Sequence, residues 1–275
     1  MSPAGDAWRL LGVDFTCAPG RRKPITVAHG RLAGAVLRLE GVDALTSLAD
    51  FETLLAAPGP WLGAFDFPFG LPREFVQAQG LGETTDAVIA ELKHRCPTRM
   101  DFRAMVDAWG NGRPAGQRLI HRRTDTAMAG VSSTSPLQTR YVPVGFMYYE
   151  GLSRLVAAGL TIPRLRSGDP VRVALEGYPG LLAHELIGRR SYKNSSSPDR
   201  LIARKDLLEA LEQGRTRLGL RLKLTHAQRD ALADDASGDR LDAVLCLAQA
   251  AWASGRPGHG LPAEVDAVEG WIVSA

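Results

Sequence analysis

Trp8-Arg-Leu-Leu-Gly-Val-Asp-Phe15 decides the fold. Its apolar residues are nearly continuous, so it reads as a buried strand, and Pro19-Gly20 stops it. A basic turn, Arg21-Arg22-Lys23-Pro24, follows. Ile25 to His29 and Ala35 to Glu40 are two more strand candidates joined by a short turn containing glycine. Three strands this close in sequence predict an antiparallel meander. Leu45, Leu48, Phe51, Leu54 and Leu55 then recur at helical spacing, and Pro58 ends that helix. Trp61 to Phe67 is an apolar strand broken by Pro68 and Pro72. The opening order is three strands, one helix, one strand.

Further along, Phe75 to Gln79, Thr85 to Arg95, Met100 to Trp109 and Gly145 to Ala158 read as helices. Arg113 to Arg140 reads as a loop rich in Ser, Thr, Gly and Arg. So long a stretch between strands is expected to be a helical insertion or lid, residues 73–165, within a single domain spanning 1–275. Val171 to Glu176 resumes as a strand. Helices follow at Gly180 to Gly188, Asp199 to Gln213, Thr225 to Leu232 and Asp239 to Ser254. Thr225 with Gln228 predicts a capping box, and Asp199 a cap. Trp271-Ile272-Val273 is expected to add an edge strand.

The 275 residues are 45% hydrophobic and 23% charged, which excludes a disordered, collagenous or coiled-coil chain. Lys and Arg number 33 against 30 Asp and Glu, a net charge of +3. This balance permits an acidic partner and excludes a protein that coats nucleic acid nonspecifically. Cys17, Cys96 and Cys246 are far apart, so neither a disulfide framework nor a cysteine zinc site is expected, and a reducing, cytoplasmic location is. Charges near the N-terminus break any signal-peptide core, and no apolar run approaches the length of a membrane span.

The informative pattern is the position of certain acids. Asp14 closes Leu-Leu-Gly-Val, Asp66 sits in Ala-Phe-Asp-Phe-Pro, and Glu176 ends Val-Ala-Leu. Asp239 and Asp242 open Asp-Arg-Leu-Asp-Ala-Val-Leu-Cys-Leu-Ala-Gln-Ala-Ala-Trp. A carboxylate at the end of an apolar strand is costly without a compensating charge, and a hard divalent cation is one such charge. Residues three apart share a helix face, so Asp239 and Asp242 point together, at an N-terminus that favours anions. Each acid also has a plainer reading. Asp14 and Asp66 could bond the turns that follow them, Glu176 could pair with an arginine such as Arg172 or Arg189, and Asp239 could be an N-cap.

Gly12-Val13-Asp14, Phe65-Asp66-Phe67-Pro68-Phe69-Gly70, Glu176-Gly177-Tyr178-Pro179, Tyr192-Lys193 and Asp239-Arg240-Leu241-Asp242-Ala243 together resemble the RNase H superfamily. The closing helix is similar to that of RuvC-type Holliday-junction resolvases. The whole chain resembles the domain-of-unknown-function 429 family, described as predicted nucleases with an RNase H fold. The resemblance implies an α/β fold with a five-stranded mixed sheet, its first three strands antiparallel, flanked by helices. It implies hydrolysis of a phosphodiester with two Mg²⁺ or Mn²⁺ ions. Asp14, Asp66, Asp239 and Asp242 would be the metal ligands, with Glu176 a further catalytic candidate whose place is open. The implied partner is DNA or RNA, held by basic residues. Lys193 leads the candidates, followed by Arg122 and Arg123, then Arg21, Arg22 and Lys23. A homodimer is left open.

Other chemistries are weaker. Six histidines show no metal-ligand spacing, and no Gly-x-Ser-x-Gly elbow, Walker-type loop or Gly-x-Gly-x-x-Gly after a strand occurs. Trp109, Tyr141, Phe146, Tyr148 and Tyr149 could stack on bases, though helix packing explains them equally. Two alternatives stand beside the nuclease. One is an actin-like ATP-binding phosphotransfer protein, which needs two duplicated halves where one is visible. The other is a binding protein that kept the fold without turnover.

Overall fold

A computed structural model of the chain describes residues 8–128 and 130–275. Three antiparallel strands open it, β1 (Arg9–Asp14), β2 (Ile25–Ala33) and β3 (Val36–Leu45), followed by α1 (Leu48–Ala56) and β4 (Trp61–Asp66). The helices α2 (Arg73–Gln79), α3 (Thr85–Arg95), α4 (Arg99–Asn111) and α5 (Val144–Ala157) come next. Then come β5 (Leu160–Thr161), β6 (Asp169–Glu176), α6 (Pro179–Ile187), α7 (Pro198–Glu212), β7 (Arg221–Lys223), α8 (His226–Asp234) and α9 (Asp239–Ser254).

Among the described residues the sheet has seven strands rather than the expected five, in the order β5-β6-β4-β1-β2-β3-β7. The two unexpected strands, β5 and β7, are edge strands of two and three residues. Segments that short leave no period in a sequence. β4 and β6 run parallel to β1, and α1 supplies the crossover that a parallel return requires. The expected edge strand at 271–273 is a single parallel bridge, Ile272 to Glu176, backed by Val273 N donating to the Glu176 carbonyl at 2.8 Å. The capping box Thr225–Gln228 is present. Asp199 is no cap: Ser197 holds that position, Pro198 follows it, and Asp199 falls in the first turn.

Strand alternation splits the core into two layers. Leu10 of β1 and Leu62 and Ala64 of β4 face an aliphatic layer built with α6 to α9. Leu11, Val13, Phe15 and Phe65 face an aromatic layer built with α1 to α5. In that layer Phe15 meets Phe51 and Phe67 with ring centroids 5.0 and 4.8 Å apart. The expected insertion therefore covers one face of the sheet and shares its core.

Helix α9 is apolar on nearly all sides and buried along most of its length, as a central core helix must be. It crosses β1 at Gly12, where an added Cβ would lie 2.1 Å from both the Ala243 carbonyl oxygen and the Leu247 nitrogen. Both are backbone atoms of a rigid helix, so nothing yields. Gly12→Ala is expected to destabilise the protein by about 3 kcal/mol or more, at or beyond the upper end of overpacking costs. Gly41→Ala meets nothing within 4 Å and is expected to change stability by less than about 1 kcal/mol. Urea denaturation of the pair checks this, and equal midpoints would refute the close approach.

Candidate metal centre

Asp14 and Asp66 are the last residues of two adjacent parallel strands and are in direct register. They continue the alternation Leu10-Gly12-Asp14 and Leu62-Ala64-Asp66, so both carboxylates project on the α9 side at the carboxyl edge of the sheet. The turn that launches α9 brings in the third acid. Asp235 accepts from Ser237 Oγ at 2.7 Å and from Arg240 N at 3.0 Å, and Ser237 Oγ accepts from Asp239 N at 3.2 Å. Gly238 is the N-cap, in the left-handed conformation with φ 82°. Asp239 is therefore not the N-cap, and its carboxylate is free of capping duty. Asp242, one turn further in, is 0% exposed.

Carboxylate oxygens of Asp14, Asp66 and Asp242 all lie within 4.8 Å of one another. Two oxygens on opposite sides of an ion bound at about 2.1–2.5 Å are about that far apart. The donor set is all oxygen and suits a hard divalent cation. Asp239 stands outside this closest group, near enough for its charge to act on both Asp14 and Asp66.

The electrostatics are compatible with such a cation. Burial, then the charges of Asp66 and Asp239, raise the Asp14 carboxyl well above its ordinary range. Burial also pushes Asp66 up to about 6, with Lys193 pulling the other way and Glu176 and Asp239 adding to the rise. Neither carboxylate accepts a hydrogen bond from a donor among the described residues. Lys193 and, more weakly, Lys23 are the positive charges that offset Asp14. Four clustered acids thus exceed the cationic side chains around them.

Asp242 differs from the other two. Its Oδ1 accepts from Tyr192 Oη at 2.5 Å, and its Oδ2 meets the Lys193 ammonium. The loop carrying this pair is pinned by arginines: Arg200 donates to Ser191 Oγ at 2.6 Å, and buried Arg204 donates to the Tyr192 carbonyl at 2.9 Å. The expected basic candidate Lys193 therefore stands at the acid cluster. The Tyr192 hydroxyl joins the site without a signal of its own in the sequence beyond its place in the Tyr192-Lys193 piece.

Glu176 does not join the cluster. It is in register with Phe65, so it projects to the aromatic side of the sheet, opposite Asp66. There Arg122 clamps it, Nη2 to Oε1 at 2.6 Å and Nη1 to Oε2 at 2.9 Å, while Phe69 N donates to Oε2 at 2.9 Å. Arg122 also holds Asp125, Nη2 to Oδ1 at 2.8 Å. Burial disfavours the charge on Arg122, but the facing Glu176 and Asp125 outweigh it and raise the guanidinium pKa above its ordinary value. Burial raises Glu176 against the pull of Arg122. Arg122 is 1% exposed and its donors are engaged, so it is corrected from a substrate contact to the cation of a buried network. The pairing foreseen for Glu176 exists, with a different arginine. Arg123 is exposed, its backbone N donating to Glu269 Oε2 at 3.0 Å.

Beside the acids lies a cavity of about 170 Å³. Asp66, Gly177 and Tyr178 come from the strand ends, and Ser133, Val142 and Met147 from the segment between α4 and the middle of α5. The helical segment thus walls one side of the candidate site.

These shifts set a pH dependence. A carboxyl whose pKa is raised on folding favours the folded state below its unfolded value and loses that contribution as pH rises through its folded value. For Asp66 the window runs from 3.8 to about 6. The contribution is at most about 3 kcal/mol, and smaller because the group partly faces the cavity. Without divalent ions, the stability of wild type relative to Asp66→Asn is expected to fall across this window as pH rises. Saturating Mn²⁺ at pH 7.5 is expected to reverse the loss. Parallel stability curves for the two proteins would contradict the assignment.

Comparison with family models, with curated proteins and with solved structures returns no match. Among the described residues, no helix is long and apolar enough to cross a membrane.

Proposed function

We propose that the chain is a nuclease that hydrolyses phosphodiester bonds with divalent metal ions, Mg²⁺ or Mn²⁺, held by Asp14, Asp66 and Asp242. The observation that carries this reading is the convergence of those three carboxylates within 4.8 Å, two of them without a hydrogen-bond donor. Bound there, the ions would lower the pKa of an attacking water and stabilise the departing oxygen. Asp14, at the end of the central β1, would be one of the residues holding the ions. Asp66 borders the cavity and would hold the substrate side, and Asp239 would orient water or complete a ligand shell. Lys193 neutralises Asp242 in this structure and is placed to pair with a phosphate once a cation replaces it.

The strand arrangement supports the RNase H-like part of the proposal. The five longer strands comprise an antiparallel trio followed by β4 and β6 parallel to β1. The two short edge strands lie outside that pattern. The test is a panel of labelled DNA and RNA, single-stranded and duplex, incubated with Mg²⁺ or Mn²⁺. Wild type is expected to cleave at least one member, and Asp66→Asn is expected to lose about 100-fold or more of the rate. Cleavage that survives Asp66→Asn, or none by wild type with either ion, would overturn the reading.

A further inference from the structure

The cavity beside Asp66 suggests what the site would act on. Its walls are mostly apolar, from Phe67, Val142, Val144 and Met147, with the Tyr178 ring and the exposed Thr134 as polar points. At about 170 Å³ it falls short of the 300–1,000 Å³ that holds a drug-sized ligand. That space admits one flat heterocycle and no base pair.

A second observation lies at its lip. Tyr141 is 99% exposed and sits at φ 57°, in the left-handed region that side chains rarely adopt. The other insertion aromatics are accounted for by packing: Phe146, Tyr148 and Tyr149 are buried, and Trp109 meets Phe75 edge-on at 5.6 Å. Tyr141 adjoins Val142 of the first cavity and itself lines a second depression of about 280 Å³. Arg118 and Asn111 edge that depression with polar donors, and Arg140 does so while paired to Asp107, Nη2 to Oδ2 at 2.6 Å. Tyr141 is thus a chain neighbour of the wall of an apolar slot at the acid cluster and lines a polar hollow beyond it.

We infer that this track binds an unpaired strand of nucleic acid, one base in the cavity beside Asp66 and the next stacked on Tyr141, so that the substrate is single-stranded or frayed rather than continuous duplex. The inference rests on the nuclease reading and narrows it. A stacking aromatic gives sequence-tolerant affinity because every base has a π-face, and the Arg118 guanidinium beyond it suits a backbone phosphate.

The experiment measures anisotropy of a short labelled single strand, its duplex and a mononucleotide, with Ca²⁺ in place of Mg²⁺. Wild type is expected to bind the single strand at least tenfold more tightly than the duplex. Tyr141→Ala, a change at a fully exposed position, is expected to weaken single-strand binding about 5- to 150-fold, and Tyr141→Phe to retain it. Met147→Glu in the cavity wall is expected to weaken the mononucleotide. Duplex bound as tightly as single strand, or Tyr141→Ala equal to wild type, would overturn the inference while Asp66-dependent cleavage stands. Absence of both binding and cleavage for every nucleic acid would remove the nuclease reading with it.

Discussion

Replacing Asp14 by asparagine is expected to weaken Mn²⁺ binding about 100-fold or more and, without metal, to raise the melting temperature. The two effects have one cause. Asp14 is a buried carboxylate beside Asp66 and Asp239, held above its ordinary pKa by burial and like charge. A neutral amide of the same shape removes that repulsion, and relief of even one pKa unit of strain is worth about 1.4 kcal/mol. With the ion present, the same substitution deletes the ligand at the centre of the cluster, and the stabilisation that binding confers is lost. Titration calorimetry with Mn²⁺, combined with thermal denaturation in EDTA and in saturating Mn²⁺, reads both arms. The order of stability of wild type and variant should invert on adding metal. A variant less stable than wild type under both conditions would mark Asp14 as an ordinary structural residue.

Arg122→Met is expected to cost about 3–5 kcal/mol, the penalty for leaving buried charge without its partner. Glu176 and Asp125 would then face each other in the aromatic layer with Phe69 N on Glu176, and Ser133 Oγ and the backbone N of residue 122 on Asp125, as their remaining donors. Protonation relieves this, so the deficit is expected to shrink toward pH 5 and grow toward pH 8. The sign follows because Arg122 is the group that pulls the Glu176 carboxyl down against burial; without it the carboxyl stands higher still in the folded variant, which therefore loses more stability than wild type as pH rises. Urea denaturation at the two pH values checks both magnitude and slope. The loop from Arg122 to Thr126 is also tied to the C-terminal segment, where Ile272 N donates to Thr124 Oγ1 at 2.8 Å. Proteolysis within 113–140 should therefore accelerate in the variant. A variant as stable as wild type at pH 8 would show that the network contributes nothing net.

Much of this architecture is legible in the chain because single residues declare it. An acid closing an apolar strand, as at Asp14 and Asp66, announces a charge that needs an explanation. An acid inside the apolar α9 announces the same at Asp242. Glu176 carries the identical signal and answers it differently. Whether a strand's last side chain faces one layer or the other depends on its register with a distant neighbour, here Phe65, and one residue of slip reverses it. Arg122 differs for a related reason. A basic residue in a polar loop reads as a contact for nucleic acid, and only the fold brings Glu176 and Asp125 around it. Asp239 had a plausible role as a cap, which Gly238, Ser237 and Asp235 fill between them.

The crossing of α9 over Gly12 has a consequence for how the protein is made. A ribosome finishes β1 and β4 long before it reaches residue 239, so a half-synthesised chain owns two of the three clustered carboxylates and a bare sheet. The third arrives on the same helix that seals that sheet. Completion of the acid cluster and completion of the core therefore come as one event, and a truncated or stalled product lacks both.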